Sequence, residues 1–275
     1  MKKSIKKIIK YSAYKLVDFL FIFKSGRYFL EKINLNIGNK NYKIKYNNNV
    51  YKFLIQNRLN YYRARTFLTK EPITIEWIKK FKEGSIFWDV GANVGIYSCF
   101  ASKERKTKTY AFEPSTLNLN TLSKNIFSNN LSKDIVIIPI SLNNKTMIDS
   151  FNMSQLYEGG SQSTFSKNYG EDGKMLNLVF NYKTLSLTGN DLVKKFNFEK
   201  PNYIKIDVDG IEDLILNGFS EILEDTKSIL IETSDIFKEK NNNIKIFLEK
   251  KGFNMEKKEN SIIQKQVYNQ IWNKK

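Results

Sequence analysis

The stretch that most constrains this chain is Ser85–Ser98, with the sequence SIFWDVGANVGIYS. An apolar run carrying one carboxylate, Asp89, leads into a turn with Gly91 and Gly95, and a helix-compatible segment follows. The pattern predicts a strand, a tight loop and a helix. A second predicted strand, Thr109–Glu113, ends in an acid roughly twenty residues beyond the glycines. This order is typical of folds that hold an adenosine-containing cofactor, because the glycines let the backbone approach the ligand and the acid can accept hydrogen bonds from both ribose hydroxyls.

Two residue counts exclude whole classes of site. The chain of 275 residues has one cysteine, Cys99, and no histidine. An intrachain disulfide, a Cys/His zinc site and a Ser-His-Asp or Cys-His mechanism are therefore excluded. Any general base must be Asp, Glu, Lys, Tyr or a water held by one of them. The lack of a disulfide fits a cytoplasmic location, and we expect Cys99 to lie in the core.

The net charge of +17 raises the question of an anionic partner. Such a charge favours nucleic acid or an anionic membrane. The chain is, however, rich in Lys, Asn and Ile throughout, as a biased composition would produce, and arginine, which suits bidentate phosphate contacts, is scarce. We therefore do not expect the charge to mark a nucleic-acid surface.

Residues 1–24 predict an amphipathic helix, because apolar residues recur at helical spacing between lysines. Their longest apolar run, Phe19–Phe23, is too short to span a bilayer, and no secretory cleavage site follows. We expect this helix to dock on its own domain or to fray; the alternative is peripheral contact with an anionic membrane.

A hairpin is predicted next, because apolar and polar residues alternate in Ile33–Ile37 and Tyr42–Tyr46, on either side of Gly38. We assign residues 1–70 to this N-terminal extension and residues 71–275 to the main domain.

From Pro72 onward, predicted strands and helices alternate. Pro72 opens a helix that runs to about Phe81, and Ser115 is a plausible helix N-cap. Residues 141–185 are predicted to be an irregular connection. The remaining strands are predicted at 86–90, 109–113, 134–140, 203–208 and 228–232, with a closing pair at 253–256 and 261–268. Helices are predicted at 96–102, 115–129, 190–196, 211–218 and 243–251. Such alternation predicts an α/β fold whose sheet is mostly parallel, with helices on both faces.

The glycine loop also restricts the type of cofactor. Its spacing is G-x-x-x-G, whereas the dinucleotide fingerprint is G-x-G-x-x-G and needs its second glycine where the pyrophosphate approaches. Asn93 takes that place here, so a dinucleotide is disfavoured. The order D-x-G-x-x-x-G resembles the first motif of class I S-adenosylmethionine-dependent methyltransferases, whose cofactor has no phosphate.

Three separated motifs, FWDVGANVGIYS, AFEPS and IKIDVDGIEDLILNGF, together resemble the FkbM-type methyltransferases over about Gly84–Thr233. The resemblance implies a Rossmann-like class I methyltransferase fold, with a seven-stranded sheet and an antiparallel last strand. It also implies S-adenosylmethionine as the donor and a hydroxyl as the acceptor, often on a sugar or secondary metabolite. One departure is Asp209, which stands where the family usually has Glu in Asp-x-Glu-Gly, so the reach of this side chain into the site could differ.

The same resemblance implies the cofactor-binding residues. The glycine loop would line the methionine part of the cofactor and the acid after the second strand would hold the ribose. These predicted cofactor-binding residues are Asp89, Gly91, Ala92, Asn93, Gly95, Glu113 and Pro114.

Catalytic candidates lie at the end of the fourth main strand. Strand periodicity places Lys205, Asp207 and Asp209 on one side, although a central parallel strand is normally apolar on both faces. Ligands bind at such strand ends. We predict that Asp207 is the general base or positions one, and that Lys205 keeps it ionised or contacts the acceptor. The alternative is a structural ion pair of Lys205 with Asp207 or Glu232.

A divalent metal would acidify the acceptor hydroxyl, and Asp207, Asp209 and Glu232, with Asp235 nearby, could form an all-oxygen Mg²⁺ or Mn²⁺ site. We expect the reaction to proceed without one. Acceptor-binding candidates are Glu158, Gly160, Ser161 and Glu232. The first three belong to a glycine-containing segment that is either a mobile loop closing over the substrate or a solvated connection.

The sequence thus predicts an S-adenosylmethionine-dependent O-methyltransferase acting on a hydroxyl of a carbohydrate or related small molecule, in surface glycan modification. A nucleic-acid methyltransferase acting on the ribose 2′-hydroxyl is one alternative. The other is a non-catalytic cofactor-fold protein bound to an anionic surface through residues 1–24. The oligomeric state is left open.

Overall fold

A computed structural model describes residues 2–170, 173–261 and 266–275 of the chain. The helices are α1 (Lys2–Ile22), α2 (Lys24–Gly38), α3 (Arg58–Arg65), α4 (Pro72–Lys79), α5 (Ile96–Arg105), α6 (Thr116–Ser128), α7 (Gly189–Phe196), α8 (Glu212–Asn217) and α9 (Lys238–Lys250). The strands are β1 (Asn41–Tyr46), β2 (Asn49–Leu54), β3 (Ile86–Val90), β4 (Lys108–Phe112), β5 (Ile135–Ile138), β6 (Ser141–Leu142), β7 (Met147–Met153), β8 (Ser163–Phe165), β9 (Phe180–Leu187), β10 (Tyr203–Ile206), β11 (Ser228–Ser234), β12 (Phe253–Asn260) and β13 (Val267–Lys274).

The described residues form a main sheet of seven strands in the order β12-β13-β11-β10-β3-β4-β5. The neighbours from β11 to β5 pair in parallel, and the last strand, β13, is antiparallel to both β11 and β12. The predicted fold class, a Rossmann-like sheet with an antiparallel last strand, is therefore confirmed. Part of the predicted strand at 261–268 falls on residues 262–265, which lie outside the described residues.

The central strands are apolar on both faces, and this builds two cores. Neighbouring residues Phe87 and Trp88 are both fully buried and belong to different cores, as strand alternation requires. One core is covered by α4, α5 and α6 and contains Cys99, as expected; the other is covered by α7, α8 and α9. Lys205 lies beside Asp89 in the pairing of β10 with β3, so a buried ammonium and a buried carboxyl are neighbours in the sheet centre.

The predicted irregular connection over residues 141–185 is wrong. Within it, β7 pairs antiparallel with β8 and β9, and β6 pairs with β9, which gives a second sheet of order β6-β9-β7-β8 in the described residues. The strands carry polar residues such as Asp149, Asn181 and Lys183 because much of this small sheet is exposed. The apolar alternation that predicts strands is therefore absent, and pairing between distant segments supplies the stability.

The predicted hairpin is displaced by one element. Ile33–Ile37 lies inside helix α2, whereas β1 pairs with β2 around a turn at Asn47, which has a φ of 49°. Gly38 ends a helix there rather than making a hairpin turn. The true hairpin buries Tyr51 and Phe53 in the same core as Phe87. The division of the chain at residue 70 stays a prediction.

Helix α1 forms as predicted but does not bury its apolar side chains against the domain. Its isoleucines and aromatic residues are exposed, and it packs on α2. No helix in the described residues is long and apolar enough to cross a membrane. Of the two expectations for this helix, docking on its own domain is wrong, and fraying stays a prediction.

Candidate active site

A cavity of about 290 Å³ opens at the carboxyl ends of β3, β4, β10 and β11, under the second sheet. Its size is close to the lower end of ligand pockets, roughly 300 Å³. The predicted site residues that line it are Gly91, Asn93, Glu113, Pro114, Gly160, Ser161, Asp207, Asp209 and Glu232. Ala92 and Lys205 line a smaller adjoining cavity, and Asp89, Gly95 and Glu158 line neither.

The glycine loop is pressed between two strand ends. The amides of Gly91 and Ala92 both donate to the carbonyl of Phe112 at 3.0 Å. Gly91 has a φ of +87°, and a Cβ added there would lie 2.0 Å from the carbonyl oxygen of Asp207. Only glycine fits this backbone conformation and this close approach. The loop therefore lies at a fixed distance from the end of β10.

Glu113 connects the glycine loop to the next helix. Its Oε2 accepts from the Asn93 amide at 2.7 Å and its Oε1 accepts from the Ser115 amide at 2.8 Å. The side chain of Asn118 donates a third hydrogen bond to this carboxylate, and one acceptor position is left for a ligand hydroxyl. Burial raises the pKa of Glu113 to about 7, although these amides favour the charged form. Ser115 is the predicted N-cap of α6, and its side chain accepts from the amide of Asn118.

Asp89 does not line the cavity but connects the strand before the glycine loop to the helix after it. It is 1% exposed, and its Oδ2 accepts from the hydroxyl of Ser98 on α5 at 2.5 Å. Its Oδ1 has no donor among the described residues. Burial raises the pKa of Asp89 despite the attraction of Lys205. The structure thus places this carboxyl where it ties β3 to α5.

Lys205 and Asp207 form the ion pair that was one of the two structural alternatives. The Lys205 side chain is 1% exposed, and its ammonium lies 5.1 Å from the centre of the Tyr97 ring. Burial opposes ionisation of Asp207, but attraction to Lys205 and then to Lys70 outweighs it and holds the pKa of Asp207 below its usual range. A hydrogen bond with Glu232 acts in the same direction. Asp207 is therefore ionised over the physiological range and is a weak base in the free protein.

Residues 158–163, which we call the bridging segment, are held by side-chain amides. Asn118 accepts from the Gly159 amide at 2.8 Å and donates to the Gly160 carbonyl at 3.2 Å. Asn93 of the glycine loop also donates to the Gly160 carbonyl, at 2.8 Å. Gly159 and Gly160 are buried whereas Ser161 and Gln162 are exposed, and these bonds hold the glycines of the bridging segment beside the cofactor loop. Whether the segment closes over a substrate stays a prediction.

Both ends of the bridging segment have further contacts. Asn57 donates to the carbonyl of Glu158 at 2.9 Å, and Arg63 donates to that of Gly159 at 2.9 Å. At the other end, Asp209 accepts from the Ser163 amide at 2.7 Å. The structure thus gives Asp209 a role in positioning the bridging segment.

Sequence analysis missed several cavity residues. They come from α3, from the residues after it, from α6 and from the second sheet, and include Tyr62, Arg63, Lys70, Asn118, Phe151 and Phe165. A cluster of three arginines at 58–65 was the available sequence signal for Arg63. Nothing in the local pattern distinguishes Asn118 from the other asparagines of α6.

The lining fits S-adenosylmethionine, whose adenine, ribose and amino groups present hydrogen-bond donors. Asn93 has a buried Oδ1 with no donor among the described residues, and the Glu113 carboxylate has one acceptor position left for a ribose hydroxyl. Two cations, Arg63 and Lys70, also line the cavity, and Lys70 pairs with Glu71 at 2.7 Å. In the described residues, no three Asp, Glu or Cys side chains are close enough to hold a metal ion.

Comparison with known proteins also indicates a methyltransferase. The Methyltransferase FkbM domain matches residues 89–259, more than half of the chain. The chain is 25% identical over 181 residues to the hexuronic acid methyltransferase AglP of Haloferax volcanii. The aligned residues cover 66% of this chain and 69% of that protein.

Solved methyltransferases resemble this chain at low identity. An rRNA methylase of Streptococcus thermophilus has a TM-score of 0.47 at 13% identity, covering 75% of this chain and 96% of that one. A precorrin-6y C5,15-methyltransferase of Geobacter metallireducens has a TM-score of 0.45 at 12% identity, covering 74% of this chain and 87% of that one. At these scores the fold assignment rests on the order and direction of this chain's own strands.

Proposed function

Since the chain belongs to the FkbM methyltransferase family, we propose that it transfers the methyl group of S-adenosylmethionine to a hydroxyl of a carbohydrate. Membership makes it an S-adenosylmethionine-dependent methyltransferase. The name of the Haloferax relative, a hexuronic acid methyltransferase, supports a sugar as the acceptor. We further propose that the reaction occurs in the cytoplasm and modifies a surface glycan.

The observation that carries the proposal is that one cavity joins the glycine loop, Glu113 and Asp207. Glu113 would accept a hydrogen bond from the ribose, and the Oδ1 of Asn93, which is buried without a donor among the described residues, would accept one from a donor group of the cofactor. When bound, S-adenosylmethionine supplies a methyl group already activated on a sulfonium. The chain's own work is to align the acceptor and receive its proton.

Asp207 positions the acceptor hydroxyl. Its carboxylate lies in the cavity wall and is kept ionised by Lys205, so it accepts a hydrogen bond from the hydroxyl at every physiological pH. Because the pKa of this carboxylate is low, it does not deprotonate the acceptor hydroxyl before methyl transfer begins. It takes the proton as the C–O bond forms, when the acceptor oxygen becomes positively charged and strongly acidic. We propose that no metal takes part.

The test is chemical analysis of surface glycans from a strain of the source organism that lacks the gene. Mass spectrometry should show loss of 14 mass units, one methylene, from a single sugar residue. Reintroduced wild-type protein should restore the methyl group, and an Asp207→Asn variant should not. Unchanged glycans together with a missing methyl group on RNA ribose would favour the nucleic-acid alternative.

A further inference from the structure

The N-terminal arm, residues 2–38, is built from α1 and α2 and carries an apolar surface that the domain does not cover. In α1, Ile8, Ile9, Leu16 and Phe19 have exposed fractions of 64%, 62%, 59% and 57%. The surface continues on α2 through Tyr28, Phe29, Ile33, Leu35 and Ile37, all exposed. Gly26 is the one buried residue of α2.

Five exposed apolar side chains of α1 share one face of the helix, and the other exposed apolar side chains, Tyr11, Tyr14, Val17, Phe21 and Ile22, lie around the rest of it. At about 100° per residue, Ile5, Ile8, Ile9, Leu16 and Phe19 fall on one face of the helix. Lys6, Lys7 and Lys10 fall on the other side, and the helix as a whole has six lysines and one aspartate. An apolar face with lysine-rich flanks is the composition of helices that lie in a membrane interface.

The joint between the two helices fixes their relative position. A Cβ at Gly26 would lie 2.0 Å from the carbonyl oxygen of Leu20, so the helices approach more closely there than any other residue would allow. The Arg27 guanidinium donates to the carbonyls of Phe21 and Ile22 at 2.9 and 3.3 Å and so caps the end of α1. The arm is thus a built two-helix unit that presents its apolar face outward.

We propose that this arm docks the enzyme on an anionic lipid surface. The apolar face would enter the acyl boundary, and the lysines would contact acidic headgroups. A second copy of the chain would bury the apolar face but bring two sets of lysines together, and nucleic acid would pair with the lysines but leave the apolar face in water. An anionic lipid surface satisfies both. The arm lies outside the residues matched by the family, so the proposal is independent of the acceptor's identity.

The test is sedimentation of the full-length protein with vesicles of phosphatidylglycerol and phosphatidylcholine, or of phosphatidylcholine alone. The wild type should bind the anionic vesicles at least tenfold more tightly than the neutral ones. Ile8→Glu/Phe19→Glu should weaken binding to anionic vesicles more than tenfold, because two apolar side chains leave the interface. Phe127→Glu/Ile148→Glu, at two exposed apolar residues of the domain, is the matched control and should bind like the wild type.

The charge contribution has its own pair of variants. Lys6→Glu/Lys10→Glu should also lower the affinity for anionic vesicles more than tenfold. The control is Lys133→Glu/Lys145→Glu, which makes the same change in net charge at exposed sites of the domain and should change this affinity less than threefold. S-adenosylmethionine binding should be equal in all variants. Three results would overturn the proposal. The wild type could bind neutral and anionic vesicles equally. It could instead bind no vesicles and form a dimer that Ile8→Glu dissociates, or bind RNA in a way that only the lysine variant abolishes.

Discussion

The cavity has two walls that are constructed differently. The donor wall, residues 90–95 and 112–114, is fixed by main-chain geometry: amides of the glycine loop bond to β4, and Gly91 touches the end of β10. The acceptor wall, the bridging segment with β8, is fixed by side-chain amides and one guanidinium from α3, α6 and the glycine loop. A change in the donor wall should therefore disturb fold and binding together, whereas a change in the acceptor wall should move one surface of the cavity.

The largest effect is expected at Gly91. Gly91→Ala places a Cβ against the Asp207 carbonyl at a positive φ, so we expect loss of S-adenosylmethionine binding and a fall of about 3 kcal/mol or more in the free energy of unfolding. Gly84→Ala is the control, because Gly84 has a φ of +73° but open space around its Cβ position. It should cost only the strain, about 1 kcal/mol. Equal urea midpoints for the two variants would contradict a donor wall fixed by close backbone approach.

Asp207→Asn tests the point where the walls meet. We expect turnover to fall by about a hundredfold or more while S-adenosylmethionine affinity changes less than threefold. The protein should also lose stability, because Lys205 is left buried without its carboxylate. Lys205→Met/Asp207→Asn removes both charges and should recover much of that stability without recovering turnover. If the double variant regains activity, the role of Asp207 is only structural.

The pH dependence of S-adenosylmethionine binding tests the role of the Glu113 carboxyl. With a pKa of about 7, its carboxyl is ionised above that pH and protonated below it. The ionised form accepts more hydrogen bonds, so S-adenosylmethionine affinity should fall about tenfold between pH 8 and pH 6, and binding should release protons at pH 6. Glu113→Gln should bind more weakly at pH 8 and show no such slope. Calorimetry in buffers of different ionisation enthalpy measures both.

Folding stability should respond in the same pH window. The native carboxyl of Glu113 holds its proton more tightly than the unfolded chain, whose value is 4.5. Its contribution to the free energy of unfolding therefore decreases as pH rises from 4.5 towards 7 and is constant above that. Urea unfolding should show this slope in the wild type and a flatter one in Glu113→Gln.

The smallest effect is expected at Asn118. Asn118→Ala removes both bonds to the glycines of the bridging segment and one bond to Glu113, and the stability should fall by about 1–3 kcal/mol. We expect the KM for the acceptor to rise severalfold and S-adenosylmethionine affinity to fall by less. Asn120→Ala, at an exposed site of the same helix, should alter neither. A loss of donor affinity equal to the loss of acceptor affinity would contradict the separation of the two walls.

The two walls also differ in how far the sequence predicts them. The donor wall follows from the short-range pattern of Asp89 to Gly95 and from Glu113, where apolar strands, glycines and an acid occur in order. The acceptor wall depends on pairing between β7, β8 and β9, whose polar, half-exposed strands lack the apolar alternation that marks a strand. The partners of Asn118 lie about forty residues away, and no local pattern indicates them. The misplaced hairpin has a related cause, since Ile33 to Ile37 alternates like a strand within a helix.

The most direct test of the central claim is transfer of a labelled methyl group in vitro. Wild-type protein is incubated with methyl-labelled S-adenosylmethionine and the glycan extracted from the deletion strain, and the product is treated with mild alkali. Transfer to a sugar hydroxyl gives an ether, so the label should be incorporated and should withstand alkali. Label released by alkali would reveal a methyl ester on a sugar carboxylate, and absence of incorporation would show that the glycan is not the acceptor; either result would contradict the account.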